Sequence, residues 1–433
     1  MKILHNSDSN RREKSFISSK IFIMKSANLI CGLDIGSTTI RVACAEARGR
    51  EELTIVALAE VPSEGINRGV ITSIEDAVAS LSAVWEKVER MTGANVEHAW
   101  VGINGHHIMA QSSHGVIAVA KPNGEIGEDD VKRVIEAAQA VATPPNYEIL
   151  HVLPRSFTVD SQSGIKDPTG MTGVRLEVEA QIIEGQISQI KNLTKCVYRT
   201  GVDIDDVVLG VLATAEAVVS KRQKDLGVAI VNLGGATTSV LVIEEGDPLH
   251  AAIIPVGSGH ITNDLAICLR TSIDVAESLK IDYGYAEASS VGKREEINLA
   301  DLGGDEGLIS RKEVAEIIEA RLEEIFELVD KELNKAARSG NLPAGIVLTG
   351  GGAKLPGIVN VAKRCFRLPV TLGYMLEASS PLEKVNDLAY TTALGLTRWG
   401  LNQGEVAIAR PSKFMAAHEV AGGIKKWFSS LMP

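Results

Sequence analysis

Two short segments of this chain place an acidic or amide side chain, a glycine turn and a pair of threonines in the same order. The first is Asp34-Ile35-Gly36-Ser37-Thr38-Thr39, the second Asn232-Leu233-Gly234-Gly235-Ala236-Thr237-Thr238. Each suits a phosphate. Glycine lets the backbone come close to an anion, and successive N–H groups with the Ser and Thr hydroxyls can face it. Asp34, ending an apolar run, is placed to orient water on a phosphate-bound Mg²⁺. A third segment, Thr349-Gly350-Gly351-Gly352-Ala353-Lys354, ends an apolar run in three glycines and permits close approach to a flat ligand such as a nucleobase or sugar. Singly, each tip reads as an ordinary hairpin and the triplet as an ordinary turn. The three in this order, two of them duplicated, point to a nucleotide.

The elements that must position these tips echo one another. Residues 29–45 read LICGLDIGSTTIRVACA and residues 228–243 read VAIVNLGGATTSVLVI. Apolar run, Gly turn and second β-branched run predict a β-hairpin in each case. Apolar segments at 55–61 and 250–256 follow, trailed by Gly65 and by Gly257 and Gly259. Self-similarity at a separation of about 200 residues predicts two homologous α/β halves rather than a solenoid. Residues 73–91 carry a helical apolar stripe behind Ser73 and Asp76, a plausible cap. Residues 97–185 read as a compact insert: strands at 99–103 and 115–120, a helix at 128–142, strands at 148–159 and 174–183. The chain then returns through a helix at 187–200 and a strand at 207–211. Ser310 and Glu313 form a capping-box pattern ahead of a long stripe from Val314 to Leu333.

The chain has 433 residues, enough for two to four packed units, with 45% apolar and 23% charged residues. Its net charge of −11 argues against nucleic acid as a partner. Residues 1–27 hold six basic and two acidic side chains and residues 410–433 four and one, which leaves −18 on the body between them. The five cysteines (Cys31, Cys44, Cys196, Cys268, Cys365) are scattered and read as reduced core thiols. No run of 18 apolar residues exists, and residues 16–24 are interrupted by Lys20, so neither a membrane span nor a signal peptide is expected. Met24 offers a second start, making the first residues a disordered or mistakenly assigned extension. His98, His106, His107 and His114 lack an acid spaced to join them in a metal site. No G-x-S-x-G elbow supports a nucleophilic hydrolase.

At the other end, Ile424, Trp427, Phe428, Leu431 and Met432 fall at i, i+3, i+4, i+7 and i+8, with Lys425 and Lys426 opposite. A basic amphipathic helix with Trp and Phe on its apolar side suits a bilayer interface. Docking on the protein's own core is the simpler alternative. The two lysines and the Gly/Pro-bearing stretch before the helix favour membrane.

The three tips together resemble those of the superfamily of actin, the seventy-kilodalton heat-shock chaperones and the sugar kinases. From about residue 28 the chain most resembles FtsA, a bacterial cell-division family. Supporting segments are Gly65-Ile66-Asn67-Arg68-Gly69-Val70, Ile165-Lys166-Asp167-Pro168-Thr169-Gly170, Ile254-Pro255-Val256-Gly257 and residues 346–354. The resemblance implies an actin-like, ribonuclease H-like α/β fold of two halves with a nucleotide cleft between them. Its implied parts are an extension at 1–27, subdomain 1A at 28–96 and 186–225, and an inserted α/β subdomain 1C at 97–185. Subdomain 2A follows at 226–281 and 321–400, the latter returning to 1A, with 2B at 282–320, a linker at 401–420 and the amphipathic helix at 421–433. It implies ATP and Mg²⁺ as ligands and places Glu277 and Lys280 beside the adenosine, where a solvated helix face is the alternative. Implied partners are the C-terminal peptide of FtsZ, further copies of the chain in filaments, other division proteins through 1C, and lipid. The implied location is peripheral, on the cytoplasmic face of the membrane at the septum. One departure matters. The second tip begins with Asn232 where the superfamily has Asp, and an amide cannot act as a carboxylate base. The expectation is ATP as a structural ligand, with slow or absent hydrolysis. A pilus-assembly relative of the PilM type and a small-molecule kinase are the alternative functions.

Overall fold

A computed structural model describes residues 29–48, 52–140, 143–304 and 307–403. The duplicated segments become duplicated sheets. In the first half, Leu29–Ile35, Thr39–Arg48 and Glu52–Pro62 form an antiparallel meander. His98–Ile103 adds in parallel beside Leu29–Ile35, then Asp203–Leu209 beside that, and Ala378–Ser379 closes the far edge. In the second half, Val228–Leu233, Thr238–Glu244 and Asp247–Ile254 repeat the meander, and Ile346–Thr349 and Val370–Leu372 add in parallel. The central strands are Val- and Ile-rich because helices cover both faces, leaving no side for polar alternation.

The helix Ile74–Thr92 starts at Ser73, whose hydroxyl accepts from Asp76 N–H, and stops at Gly93 in the left-handed region. It buries Ala77, Leu81, Val84, Trp85 and Val88 against the first sheet. On the second sheet, Arg311–Lys335 buries its stripe from Val314 to Leu333. Its expected capping box does not form: Ser310 closes the short strand Leu308–Ser310 and makes no side-chain cap bond. Two further helices, Gly210–Val218 and Thr391–Gln403, pack on each other beneath the first sheet. Residues 401–403 complete the latter instead of opening a linker.

The insert has its own core of Val134, Ile135, Phe157, Leu176 and Val178, between a four-stranded antiparallel sheet and the helix Glu128–Gln139. It begins later than 97. The strand His98–Ile103, assigned to it from sequence, pairs in parallel within the first-half sheet, and the insert's sheet starts with Ile108–Ala118. It also touches the second half. Lys166 Nζ lies 2.6 Å from Asp247 and 3.2 Å from Glu245, Gln181 meets His250 at 3.5 Å, and His250 Nε2 meets Glu332 at 2.9 Å.

The cysteine expectation needs correction. Cys31 and Cys44 stand directly opposite in the antiparallel register, with Cα atoms 4.3 Å apart, and are joined as a disulfide. Pairing across a hairpin depends on register, not on sequence spacing. Cys196, Cys268 and Cys365 are free thiols. The extension at 1–27, residues 404–420 of the linker and the amphipathic helix with Ile424, Lys425, Lys426, Trp427, Phe428, Leu431 and Met432 lie outside the described residues.

Candidate functional site

The two hairpin tips meet. A Cβ at Gly235 would lie 2.6 Å from Cγ2 of Thr38, so the tip of the second half touches that of the first with no room for a side chain between them. Gly36 and Ser37 make the turn of the first tip, with Thr38 exposed at its apex and Thr39 opening the next strand. The Ser37 hydroxyl accepts from Gly69 N–H at 2.8 Å, which ties the loop around residues 65–69 to the tip. In the second tip, Gly234 N–H donates to the Thr237 carbonyl, and Ser258 N–H and Gly259 N–H donate to the carbonyls of Gly234 and Gly235. Thr238 is buried and its hydroxyl donates to the Val256 carbonyl at 2.7 Å, so it holds the tip and does not face a ligand. Thr237 is the hydroxyl left at the turn.

Asp34 lies at the floor between the tips. Burial pushes its carboxyl up to about 6, with Arg41 offsetting part of the rise. The Asn104 carboxamide donates to its Oδ1 at 3.4 Å. A half-buried carboxylate with one weak donor fits a cation's water shell, since a nearby positive charge would favour its ionised form. Among the described residues no group of three or more His, Cys, Asp and Glu is placed to hold an ion directly. A Mg²⁺ entering with phosphate would be held here through its water shell, with Asp34 as the carboxylate facing it.

Asn232 is held differently from Asp34. Its amide donates to Thr392 Oγ1 at 2.9 Å and Thr214 Oγ1 at 3.4 Å, and those hydroxyls are 3.0 Å apart. Gly350 packs on its Oδ1. The side chain thus pins the second tip to the third glycine cluster and to the helix pair of the first half. Only the carbonyl lone pairs of Asn232 remain to meet a water, and a carboxamide oxygen is no base.

The third cluster follows the strand Ile346–Thr349, with Gly350 at φ 87 and a short 3-10 turn Gly351–Lys354. A cavity of about 740 Å³ opens beside this turn, bordered by Lys354, Leu355, Tyr285, Tyr374 and Asp387. Its lining starts at Ala353, past the three glycines, and does not reach either tip. Lys354 and Asp387 form an ion pair at its edge, 2.9 Å apart. Glu277 and Lys280, on the helix Ile273–Tyr283, do not border it. Lys280 Nζ reaches Thr262 Oγ1 at 2.8 Å, Glu277 at 2.7 Å and the Ser258 carbonyl at 3.5 Å, so the pair braces the loop behind the second tip.

Sequence reasoning passed over Asn104, Thr214 and Thr392. Asn104-Gly105 follows an apolar strand just as Asp34 precedes Gly36, a signal hidden by assigning that strand to the insert. The two threonines carried no signal beyond helix interior.

Residues 229–395 match the family described as cell division protein FtsA, and residues 105–184 match the SHS2 domain inserted in FTSA. The chain is 37% identical over 381 residues to the cell division protein FtsA of Pseudomonas aeruginosa, covering 88% of this chain and 91% of the relative. It belongs to the FtsA family. The FtsA of Bacillus subtilis is 38% identical over 384 residues, 88% of this chain and 86% of its own. That of Escherichia coli is 30% identical over 380 residues, 86% and 90%. Among solved structures, the PilM-PilN type IV pilus biogenesis complex superposes with a TM-score of 0.63 at 14% identity, covering 86% of this chain and 98% of that one. MreB 5 of Spiroplasma citri bound to AMPPNP gives 0.51 at 14% identity, covering 88% and 98%. The fold is that of the actin-like proteins, with the FtsA insert in the first half. No helix among the described residues is long and apolar enough to cross a membrane.

Proposed function

We propose that this chain binds ATP with Mg²⁺ in the cleft between its halves, assembles with further copies, and tethers FtsZ filaments to the cytoplasmic face of the cell membrane at the division septum. The observation that carries the nucleotide is the contact of the two tips at Gly235 and Thr38, which brings two anion-facing turns to one point. The membrane role rests on the amphipathic pattern of residues 424–432 and the family's place in cell division. Subdomain 2B, near 282–320, is the proposed seat of the FtsZ C-terminal peptide, and 1C of contacts with further copies and other division proteins.

ATP acts here chiefly as a ligand that holds the halves together. Gly36, Ser37, Thr38 and Thr39 bind it from one side, Gly234, Gly235 and Thr237 from the other, and Gly350, Gly351 and Gly352 admit the nucleoside. Bound Mg²⁺ would neutralise phosphate charge. Asp34 orients its water shell, and Asn232, with its amide committed to Thr392, abstracts no proton. Hydrolysis is accordingly slow or absent, well below the ordinary enzyme range of about 1–10³ s⁻¹. Titration of the purified full chain with a fluorescent ATP analogue should show Mg²⁺-dependent binding, abolished in Asp34→Ala. Absence of binding by the native chain would sink the proposal.

The membrane arm has its own test. Trp427→Glu is expected to remove co-sedimentation with vesicles containing anionic lipid while leaving ATP binding intact. The two lysines contribute roughly 1 kcal/mol each near an anionic surface, so one helix binds reversibly and an array of copies binds firmly. Undiminished sedimentation of the variant would count against the anchor. Recruitment of fluorescent FtsZ to a lipid monolayer, with and without residues 421–433, tests the tether as a whole.

A further inference from the structure

Asn104 stands at the end of the strand His98–Ile103, one residue before the insert's match begins, and takes part in three contacts that converge on the cleft floor. Its amide donates to Asp34 Oδ1. Its carboxamide occupies the space above Gly210: a Cβ there would lie 2.4 Å from both Nδ2 and Oδ1 of Asn104. Its backbone carbonyl packs under Gly69, whose N–H bonds the Ser37 hydroxyl of the first tip. The remaining polar atom, Oδ1, is buried and has no hydrogen-bond partner within the protein.

A buried acceptor left without a donor is unfavourable, and the fold keeps one only where something donates to it. Asn104 Oδ1 belongs to the carboxamide that holds Asp34, at the floor of the cleft. A water is the donor of the right size, and a water that also contacts Asp34 belongs to the shell of an incoming cation. The amide supplies what a carboxylate could not. Nδ2 donates to Asp34 without adding charge, while Oδ1 accepts from water, so both ends of one planar group are used.

We propose that Asn104 is the positioning residue for the hydrated cation of the cleft. It aims the Asp34 carboxylate and accepts from a water of the metal's shell, and Gly210 is glycine because this carboxamide lies over it. The proposal rests on the nucleotide-binding reading above. Asn104 touches neither phosphate nor base in this assignment. Its contribution is confined to the part of nucleotide affinity that depends on Mg²⁺.

The test compares ATP affinity with Mg²⁺ and with EDTA, on the full-length native chain, Asn104→Ala and Gly210→Ala. The alanine at 104 removes the carboxamide. The alanine at 210 leaves Asn104 in the chain but displaces its side chain, from a helix position where alanine is well tolerated. Both variants should lose about tenfold in the ratio of Mg²⁺ to EDTA affinity, keep the affinity in EDTA within about twofold, and melt without ligand close to the native chain. A general structural role would instead lower both affinities together, together with the melting temperature. An unchanged ratio in Asn104→Ala, or equal losses with and without Mg²⁺, would overturn the proposal while leaving the nucleotide site standing. Failure of the native chain to bind ATP in either buffer would overturn both. If Asn104→Ala alone misfolded, Gly210→Ala would decide between the same outcomes.

Discussion

Gly235→Val is expected to weaken ATP binding about 100-fold or more while leaving the unliganded fold nearly as stable as before. A Cβ at this position meets Thr38 at 2.6 Å from Cγ2, 3.0 Å from Oγ1 and 3.4 Å from Cβ. Thr38 is β-branched, so it has few rotamers in which to retreat. Valine adds two methyl groups on the same side, and the first tip must move back bodily. Neither hairpin needs to unfold for this, because each is anchored by its own sheet and by separate loops, Gly69 on Ser37 and Ser258 on Gly234. What is lost is simultaneous contact with one triphosphate. A charge-assisted hydrogen bond contributes roughly 1.5–3 kcal/mol, and losing two of them corresponds to about a hundredfold or more. Titration with the fluorescent analogue measures the affinity, and a thermal melt without nucleotide measures the fold. An affinity within threefold of native would mean that the tips do not act on the same ligand.

Lowering the pH from 7 to 5 is expected to cost the fold about 2–3 kcal/mol, mostly through two histidines. Burial holds His107 and His151 down at about 4. An unfolded chain takes up protons on both near 6.5, whereas the folded chain refuses them until about 4. Their contribution is therefore complete above 6.5 and is lost as pH falls towards 4, about 2 kcal/mol for each by pH 5. Asp34 works in the opposite sense. Its raised carboxyl makes ionisation costly in the fold, so acidification returns about 1 kcal/mol between the same pH values. His151 accepts from Leu209 N–H at 2.9 Å through Nε2 and meets Trp399 edge-on, so the neutral ring is built into the core. His107 is 2% exposed with both ring nitrogens unpartnered, beside Gly105 where the insert departs. Urea unfolding at pH 7 and pH 5 reads the difference. His151→Gln, which keeps an acceptor for Leu209 and cannot protonate, should remove about two-thirds of it or slightly more. Equal stability at the two pH values would refute the assignment.

The duplicated sheets were legible because their signal is local. A β-branched run, a glycine turn and a second run specify a hairpin without help from elsewhere, and a repeated hairpin predicts a repeated half. Strand 98–103 was legible as a strand but not as a member of the first sheet, because parallel pairing joins segments about 70 residues apart and leaves no mark on either. Asn104 shares that history: a polar residue after a strand acquires meaning only when the strand lands beside Leu29–Ile35. Cys31 and Cys44 lie 13 residues apart, a spacing that says nothing until the register brings them together. Thr238 and Thr237 are indistinguishable in sequence, and the pleat turns one inward and leaves the other at the turn. Glu277 and Lys280 were placed beside the adenosine by resemblance. Their helix holds them against Thr262 and Ser258, and Ser258 in turn lies against Gly352 of the third cluster.

The contact of the insert with the second half has mechanical consequences. Two rigid bodies joined along one seam can swing like a book; a brace from one cover to the other takes that freedom away. The insert is rooted by its chain in the first half, and Lys166 grips Asp247 and Glu245 on the second. Any swing of the covers must therefore drag the insert along or tear that grip, and a ligand held by both tips would resist the same swing from the spine. Whatever leans on the outer face of the insert is then pressing on a lever whose short arm ends where the two tips meet.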